Sequence, residues 1–190
     1  MENTAILLIE FQKTWTEKGI FYKIIKKEYQ SRNVLNNTKL LLDLARENNI
    51  KIIQAPLILD KTDKERYKKT PFPARLLKRF TKGTWKAEFT DGIYIKSTDL
   101  VIEGRYGFDA TEGSNLEEIL RANNIKTVFV AGFTTDHCVK ETMNSLINKG
   151  YKCIMVSDCT ATKNSKLQKK IESEFAVLTS NLLVKKILGE

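Results

Sequence analysis

The stretch Val128-Phe-Val-Ala-Gly-Phe-Thr-Thr-Asp-His-Cys-Val139 sets the fold of this chain. Its first four residues are an unbroken apolar run, as expected of a short strand buried on both faces. Gly132 interrupts the run, and Thr134, Thr135 and Asp136 are residue types that cap helix N-termini. From Val139 onward Thr142, Met143 and Leu146 share one helical face, and Lys149-Gly150 closes the pattern. With Thr135 as N-cap, Cys138 is the third helical residue. There the free N–H groups and the positive end of the macrodipole favour a thiolate. Such a cysteine serves either as a sulfur nucleophile or as ordinary core, and position alone leaves both readings open.

Working outward, residues 4–9 are a second continuous apolar run, followed directly by Glu10. An acid at the end of a buried strand is costly unless it is paired or turned to solvent. Residues 11–29 read as a long connection rich in aromatics and lysines, and residues 32–48 as a helix with Val34, Leu35, Thr38, Leu41, Leu42 and Ala45 inward. Residues 51–55 form a strand stopped by Pro56. Residues 57–96 are read as an irregular connection with a charged, partly helical segment at 60–69, a break at Thr70-Pro-Phe-Pro73 and a short amphipathic turn at 76–80. A connection this long is often functional.

Residues 98–102 make a third strand, followed by Glu103-Gly-Arg-Tyr-Gly-Phe-Asp109. The helix at 114–123 has Ser114 as expected N-cap and Glu117 as capping-box partner. Strands at 126–131, 151–157 and 175–179 then alternate with helices at 136–149, 163–173 and 180–188. This alternation predicts an α/β fold: three α/β/α layers around a six-stranded, mostly parallel, Rossmann-like sheet of order 3-2-1-4-5-6. Ligands of such folds bind outside the carboxyl ends of the strands, at the switch point of strand order. Glu10, Arg105 and Cys138 each follow a strand, so an acid, a cation and a thiol are expected in one crevice. That set suits nucleophilic acyl chemistry.

Composition narrows the alternatives. A chain of 190 residues with 42% hydrophobic and 29% charged content suits one soluble domain spanning 1–190. No apolar run is long enough to span a bilayer, and the strand-like run from Thr4 leaves no room for a secretory leader, so a cytoplasmic protein is expected. The net charge of +9 is spread through residues 13–27, 61–86 and 163–186 and interleaved with acids. It reads as a solvated lysine-rich surface, with no nucleic-acid or membrane partner. Three cysteines without a Cys-x-x-Cys pair, and one histidine, His137, indicate neither a disulfide framework nor a metal centre. Cys153 and Cys159 read as core or structural, and His137 as a surface residue at the helix start.

With these residues in hand, the chain resembles the isochorismatase-like cysteine hydrolases, which include nicotinamidases, N-carbamoyl-amide hydrolases and isochorismatases. The resemblance rests on Ala131-Gly-Phe-Thr-Thr-Asp-His-Cys-Val139, on Leu100-Val-Ile-Glu-Gly-Arg-Tyr-Gly-Phe-Asp-Ala110 with Ser114-Asn-Leu116, on Ile6-Leu-Leu-Ile-Glu-Phe-Gln12 and on Val156-Ser-Asp-Cys-Thr-Ala161. It implies a triad of acid, cation and thiol (Glu10, Arg105, Cys138), a non-proline cis peptide before Thr134, and an oxyanion hole from the N–H groups of Thr134 and Cys138. The implied activity is hydrolysis of an amide-type carbon–nitrogen bond in a small molecule through a cysteine thioester, without a cofactor, in a dimer or tetramer.

Two positions depart from the family pattern. Glu10 stands for the usual Asp, and Arg105 for the usual Lys, keeping the charge with a different, bidentate-capable shape. Nicotinamidases carry an Asp/His/His metal cluster after the second strand, whereas Ile58-Leu-Asp60-Lys-Thr-Asp63 has no histidine. No metal and a substrate other than nicotinamide are therefore expected. Phe11, Gln12, Trp85, Tyr106, Phe108 and Phe133 are candidate substrate contacts by position. Two other readings remain, a catalytically weakened binding module and a vinyl-ether hydrolase of isochorismatase type; the latter chemistry does not need Cys138.

Overall fold

The backbone of β1 (Thr4–Ile9) runs through the centre of the molecule with five of its six residues buried. A computed structural model describes residues 1–78 and 80–190, without the side chains of Pro73, Ala74 and Leu77. After β1 come α1 (Lys13–Thr16), α2 (Ile20–Ser31), α3 (Val34–Glu47), β2 (Lys51–Ala55), α4 (Lys64–Lys69), α5 (Phe72–Leu77), β3 (Leu100–Val101) and α6 (Leu116–Ala122). The rest of the chain is β4 (Thr127–Phe133), α7 (Lys140–Asn148), β5 (Lys152–Ala161), α8 (Ser165–Glu172), β6 (Val177–Leu178) and α9 (Ser180–Leu188). All strand pairs are parallel. The order is β3-β2-β1-β4-β5-β6, as the strand–helix alternation predicts.

Alternate residues of the strands feed two cores. Ile6, Leu8, Ile52, Phe129 and Ala131 pack against α2, α3 and α9. Ala5, Leu7, Ile9, Ile53, Val128 and Val130 pack against α6, α7 and α8. Strands covered on both faces must be apolar throughout, which is why these runs are continuous. No helix among the described residues is long and apolar enough to cross a membrane.

Several local expectations are corrected. Residues 13–31 are not an open connection but two helices, with Ile25, Glu28 and Tyr29 buried at helical spacing. The third strand is reduced to Leu100–Val101, because only Ile53 and Gln54 of β2 pair with it. β6 likewise shrinks to two residues, whereas β5 runs on to Ala161, past an irregularity opposite Val130 and Gly132. The helix expected from Ser114 is capped at Asn115. Ser114 instead donates to the Ala110 carbonyl and accepts from the Leu116 N–H (3.2 Å), and Asn115 Oδ1 takes the Glu103 N–H (2.8 Å). The turn expected at 76–80 includes Arg79, which lies outside the described residues; residues 72–77 are α5.

The long connection is tied down rather than loose. Gln12, fully buried, donates its amide to the carbonyls of Leu57 (3.2 Å) and Ala87 (2.9 Å) and accepts from the Leu57 N–H (3.1 Å). The N–H of Thr90 reaches the Phe11 carbonyl and that of Lys13 the Glu88 carbonyl, both at 2.9 Å. Asp99 forms a two-point ion pair with Arg46 and accepts from Gln54, which closes the strap against α3.

β1 and β4 remain paired to their carboxyl ends, where Ile9 and Gly132 are partners. Gly132 has φ +124°, and a Cβ there would lie 1.9 Å from the Ile9 carbonyl oxygen. Only glycine lets the two strand ends approach this closely. Gly132→Ala is expected to destabilise the protein by at least about 3 kcal/mol, combining backbone strain with a clash against backbone. Equilibrium urea denaturation measures this; a loss within 1 kcal/mol, by the same arithmetic, would contradict the close approach.

Candidate active site

Glu10 is the first residue beyond β1 and has φ +54°, which turns its side chain across the sheet edge. Its N–H donates to the Ala55 carbonyl at the end of β2 (3.2 Å). The same carbonyl accepts from Arg105 Nη1 (2.7 Å), so one backbone oxygen holds both partners. Arg105 Nη2 meets Glu10 Oε1 at 2.7 Å and the Phe108 carbonyl at 2.8 Å, while Nε donates to the Gly107 carbonyl (3.1 Å). The ion pair is therefore single-pronged, not the two-pronged pairing a guanidinium permits, because the rest of the fork is engaged by backbone carbonyls. The second carboxylate oxygen takes the Trp15 indole N–H at 3.0 Å. Gly104, at φ +87°, shapes the turn before Arg105; a Cβ there would lie 2.4 Å from the Gly113 carbonyl.

The turn after β4 supplies the thiol. The Phe133–Thr134 peptide is cis, and Thr135–Val139 form a π-helical turn with Thr134, not Thr135, as the capping residue. The N–H groups of His137 and Val139 both donate to the Thr134 carbonyl (3.1 and 3.2 Å). The Thr135 hydroxyl turns away and donates to Gln168 Oε1 (2.8 Å), whose amide holds Thr160 and Glu172. Cys138 is 4% exposed, against 1% for Glu10 and 3% for Arg105, so the three groups meet in a nearly dry site. Its thiol interacts with both of the others. Burial pushes the thiol well above its ordinary range; the Glu10 carboxylate adds to the rise and the Arg105 guanidinium opposes it. The thiolate expected from the helix position is thus overridden, and the resting sulfur carries its proton.

The chain has a counterpart among known proteins: residues 4–180 match the isochorismatase domain. The chain belongs to the isochorismatase family. A protein of Arabidopsis thaliana named "Probable inactive nicotinamidase" is 24% identical over 190 residues, spanning 98% of this chain and 90% of its own. Ureidoacrylate amidohydrolase RutB of Agrobacterium fabrum is 24% identical over 174 residues, spanning 83% of this chain and 75% of its own. A cysteine hydrolase from Pseudomonas syringae shares the fold with a TM-score of 0.81 at 20% identity, covering 98% of this chain and 93% of its own.

In this isochorismatase-family chain the other expected contacts scatter. Phe11 and Phe133 are buried against each other, ring centroids 4.8 Å apart, in the core below the site. Gln12 is occupied by its backbone clamp. Trp85 is half-buried under the Lys18 ammonium, 5.0 Å from its ring centroid. Tyr106 lies under Lys69, and Phe108, which is exposed, packs near the His137 ring. Cys153 and Cys159 are buried as expected, and burial pushes the Cys153 thiol up to about 12. Asp158 takes the N–H and hydroxyl of Ser180. Among the described residues no cluster of three or more His, Cys, Asp or Glu side chains could hold a metal ion.

Trp15 and Gln168 were not apparent in the sequence. Trp15 sits five residues after Glu10, stacked on Phe21 (4.5 Å), and only the turn of Glu10 brings its N–H to the carboxylate. Removing the Glu10 charge takes away one cause of the raised thiol pKa and leaves Arg105, so Glu10→Gln lowers the Cys138 pKa. Each unit of that fall gives about tenfold more thiolate at neutral pH. Alkylation of Cys138 by uncharged iodoacetamide at pH 7 should therefore speed up in Glu10→Gln. In the wild type the rate should keep climbing with pH beyond the ordinary thiol value of about 8.5. An unchanged or slower rate in Glu10→Gln, mapped by peptide mass spectrometry, would break the assigned coupling.

Proposed function

We propose that this protein hydrolyses an amide-type carbon–nitrogen bond in a small molecule through a thioester on Cys138. The observation that carries the reading is the meeting of carboxylate, guanidinium and thiol at the carboxyl ends of β1, β3 and β4, where parallel sheets bind ligands. Membership of a family with an amidohydrolase relative supports it.

In this reading Glu10 takes the Cys138 proton as the sulfur attacks the amide carbonyl. The N–H groups of Thr134 and Cys138 stabilise the oxygen of the tetrahedral intermediate. Glu10 returns the proton to the departing nitrogen, which leaves as amine or ammonia, and the acyl group stays on sulfur. Water then attacks the thioester, giving its proton to Glu10, and the acid leaves as the thiol re-forms. Arg105 holds Glu10 in place and remains a cation throughout, because a guanidinium does not give up its proton. Trp15 fixes the other carboxylate oxygen, which steadies a side chain one methylene longer than the family's usual aspartate.

A binding module with weakened chemistry is the second reading, favoured by a relative named as inactive and by Arg105 in place of lysine. The two separate on a panel of small linear amides and ureas assayed by ammonia release. A hydrolase turns over at least one of them, and Cys138→Ser abolishes that activity by more than about 1,000-fold with little change in thermal midpoint. Arg105→Lys is expected to lower activity, since lysine cannot reach the carbonyls of Ala55, Gly107 and Phe108 together. It should also lower stability by about 2–4 kcal/mol through unsatisfied buried carbonyls. If only the lysine variant turns over, the binding-module reading replaces the hydrolase.

A further inference from the structure

The N–H groups assigned to the oxyanion lie at the two ends of one short turn, Thr134 to Cys138. The Thr134 carbonyl accepts from His137 and Val139 and skips Cys138 between them. The Thr134 side chain makes no capping hydrogen bond. A turn held this sparsely by its own atoms depends on neighbours, because a donor displaced by about an ångström loses much of its effect on a developing charge.

The turn's side chains reach outward to those neighbours. Asp136 accepts from the Thr162 hydroxyl. Thr135, fully buried, donates to Oε1 of Gln168 on α8 (2.8 Å). Gln168 is also fully buried, and its nitrogen donates to the Thr160 hydroxyl (3.1 Å) and to Glu172 Oε1 (3.0 Å). Thr160 lies on the part of β5 beyond its irregularity, which pairs Thr160 with Gly132 and Ala161 with Phe133 alongside the turn.

These partners decide which way the amide points. The Glu172 carboxylate, ion-paired to Arg32 Nη1 at 2.7 Å, can only accept, so the NH2 group faces it and the carbonyl oxygen faces Thr135. The Thr135 hydroxyl must then donate, which fixes its rotamer and the backbone that joins the two oxyanion donors. Arg32 extends the anchor to Glu28 on α2 (3.2 Å) and to the Ser157 carbonyl on β5 (3.0 Å). None of the hydrogen-bond partners of Gln168 is Glu10, Arg105 or Cys138.

We propose that Gln168 is a positioning residue: through Thr135 it holds the N–H groups of Thr134 and Cys138 in place for the oxyanion. The inference rests on the hydrolase reading above. A merely structural pin would change stability, or disturb every property of the sulfur alike. A positioning role instead separates the steps that place charge on a carbonyl oxygen from those that do not.

Gln168→Met keeps the length of the side chain and removes its amide. On the best substrate of the amide panel, kcat should fall about 10- to 100-fold with KM within about twofold. Alkylation of Cys138 by iodoacetamide, in which sulfur displaces iodide and no carbonyl oxygen gains charge, should stay within about twofold of the wild type. Propionaldehyde gives a readout independent of turnover. The thiol adds across its C=O bond, the S–C bond forming as the thiol proton passes to the oxygen, so the aldehyde protects Cys138 from iodoacetamide. Gln168→Met should need about 10-fold more aldehyde for equal protection. Thr135→Val should reproduce these losses and Thr135→Ser, which keeps the hydroxyl, should recover most of them; this pair carries the test if Gln168→Met does not fold. Either loss, with alkylation unchanged, upholds the positioning role. Unchanged kcat and protection, a loss carried by KM, or a parallel fall in alkylation overturns it and leaves the hydrolase standing. Gln168-dependent protection of a wild type that hydrolyses no panel amide upholds the role and overturns the hydrolase reading. Neither turnover nor protection in the wild type overturns both.

Discussion

A buried ion pair between Glu10 and Arg105, 2.7 Å apart and each about 1% exposed at the side chain, is the constraint on which this site depends. Two charges taken from water are costly, and their attraction offsets that only if the remaining donors and acceptors are also satisfied. Here most of them are: Trp15 donates to the second carboxylate oxygen, and the carbonyls of Ala55, Gly107 and Phe108 accept three of the four guanidinium N–H groups not directed at Glu10. The pair therefore fixes the ends of β1 and β2 and the turn that carries Arg105. Ala110 extends this framework by donating its N–H to Thr142 on α7, the helix that follows the cysteine turn (2.8 Å).

The same pair sets the electrostatics of the sulfur. A helix N-terminus favours a thiolate by about 1 kcal/mol at most at an ordinary exposed site. Burial works against it, and a neighbouring carboxylate works in the same direction as burial. The larger effects win, and the Cys138 thiol lies above its ordinary range. Under the proposed hydrolase reading, the sulfur then loses its proton during the attack, with the carboxylate as acceptor and the arginine as fixed counter-charge.

Much of this was legible in the sequence, for definable reasons. The apolar runs of β1 and β4 must be continuous because helices cover both faces, and Gly132 marks the place where the strands close on each other. Glu10, Arg105 and Cys138 stand out because each is reactive and each follows a strand. The helices between residues 13 and 31 were hidden by lysines that dilute their apolar stripe. Ser114 looked like a cap because its residue type fits, yet Asn115 was better placed once its side chain had the Glu103 N–H to bind. Trp15 and Gln168 were invisible, since their partners lie on other elements and no local spacing announces them.

The exchange of lysine for arginine is best judged by what surrounds it. An arginine dropped into a cradle shaped for an ammonium would leave N–H groups unpaired or displace its neighbours. Arg105 instead pairs four of its five N–H groups, three of them with carbonyls from two separate segments and one with Glu10. The turn at 103–113 accommodates the guanidinium, with Gly104 permitting an approach to Gly113 that a Cβ would block. The surroundings hold Glu10 at the carboxyl end of β1 against a guanidinium, a cation that does not give up its proton.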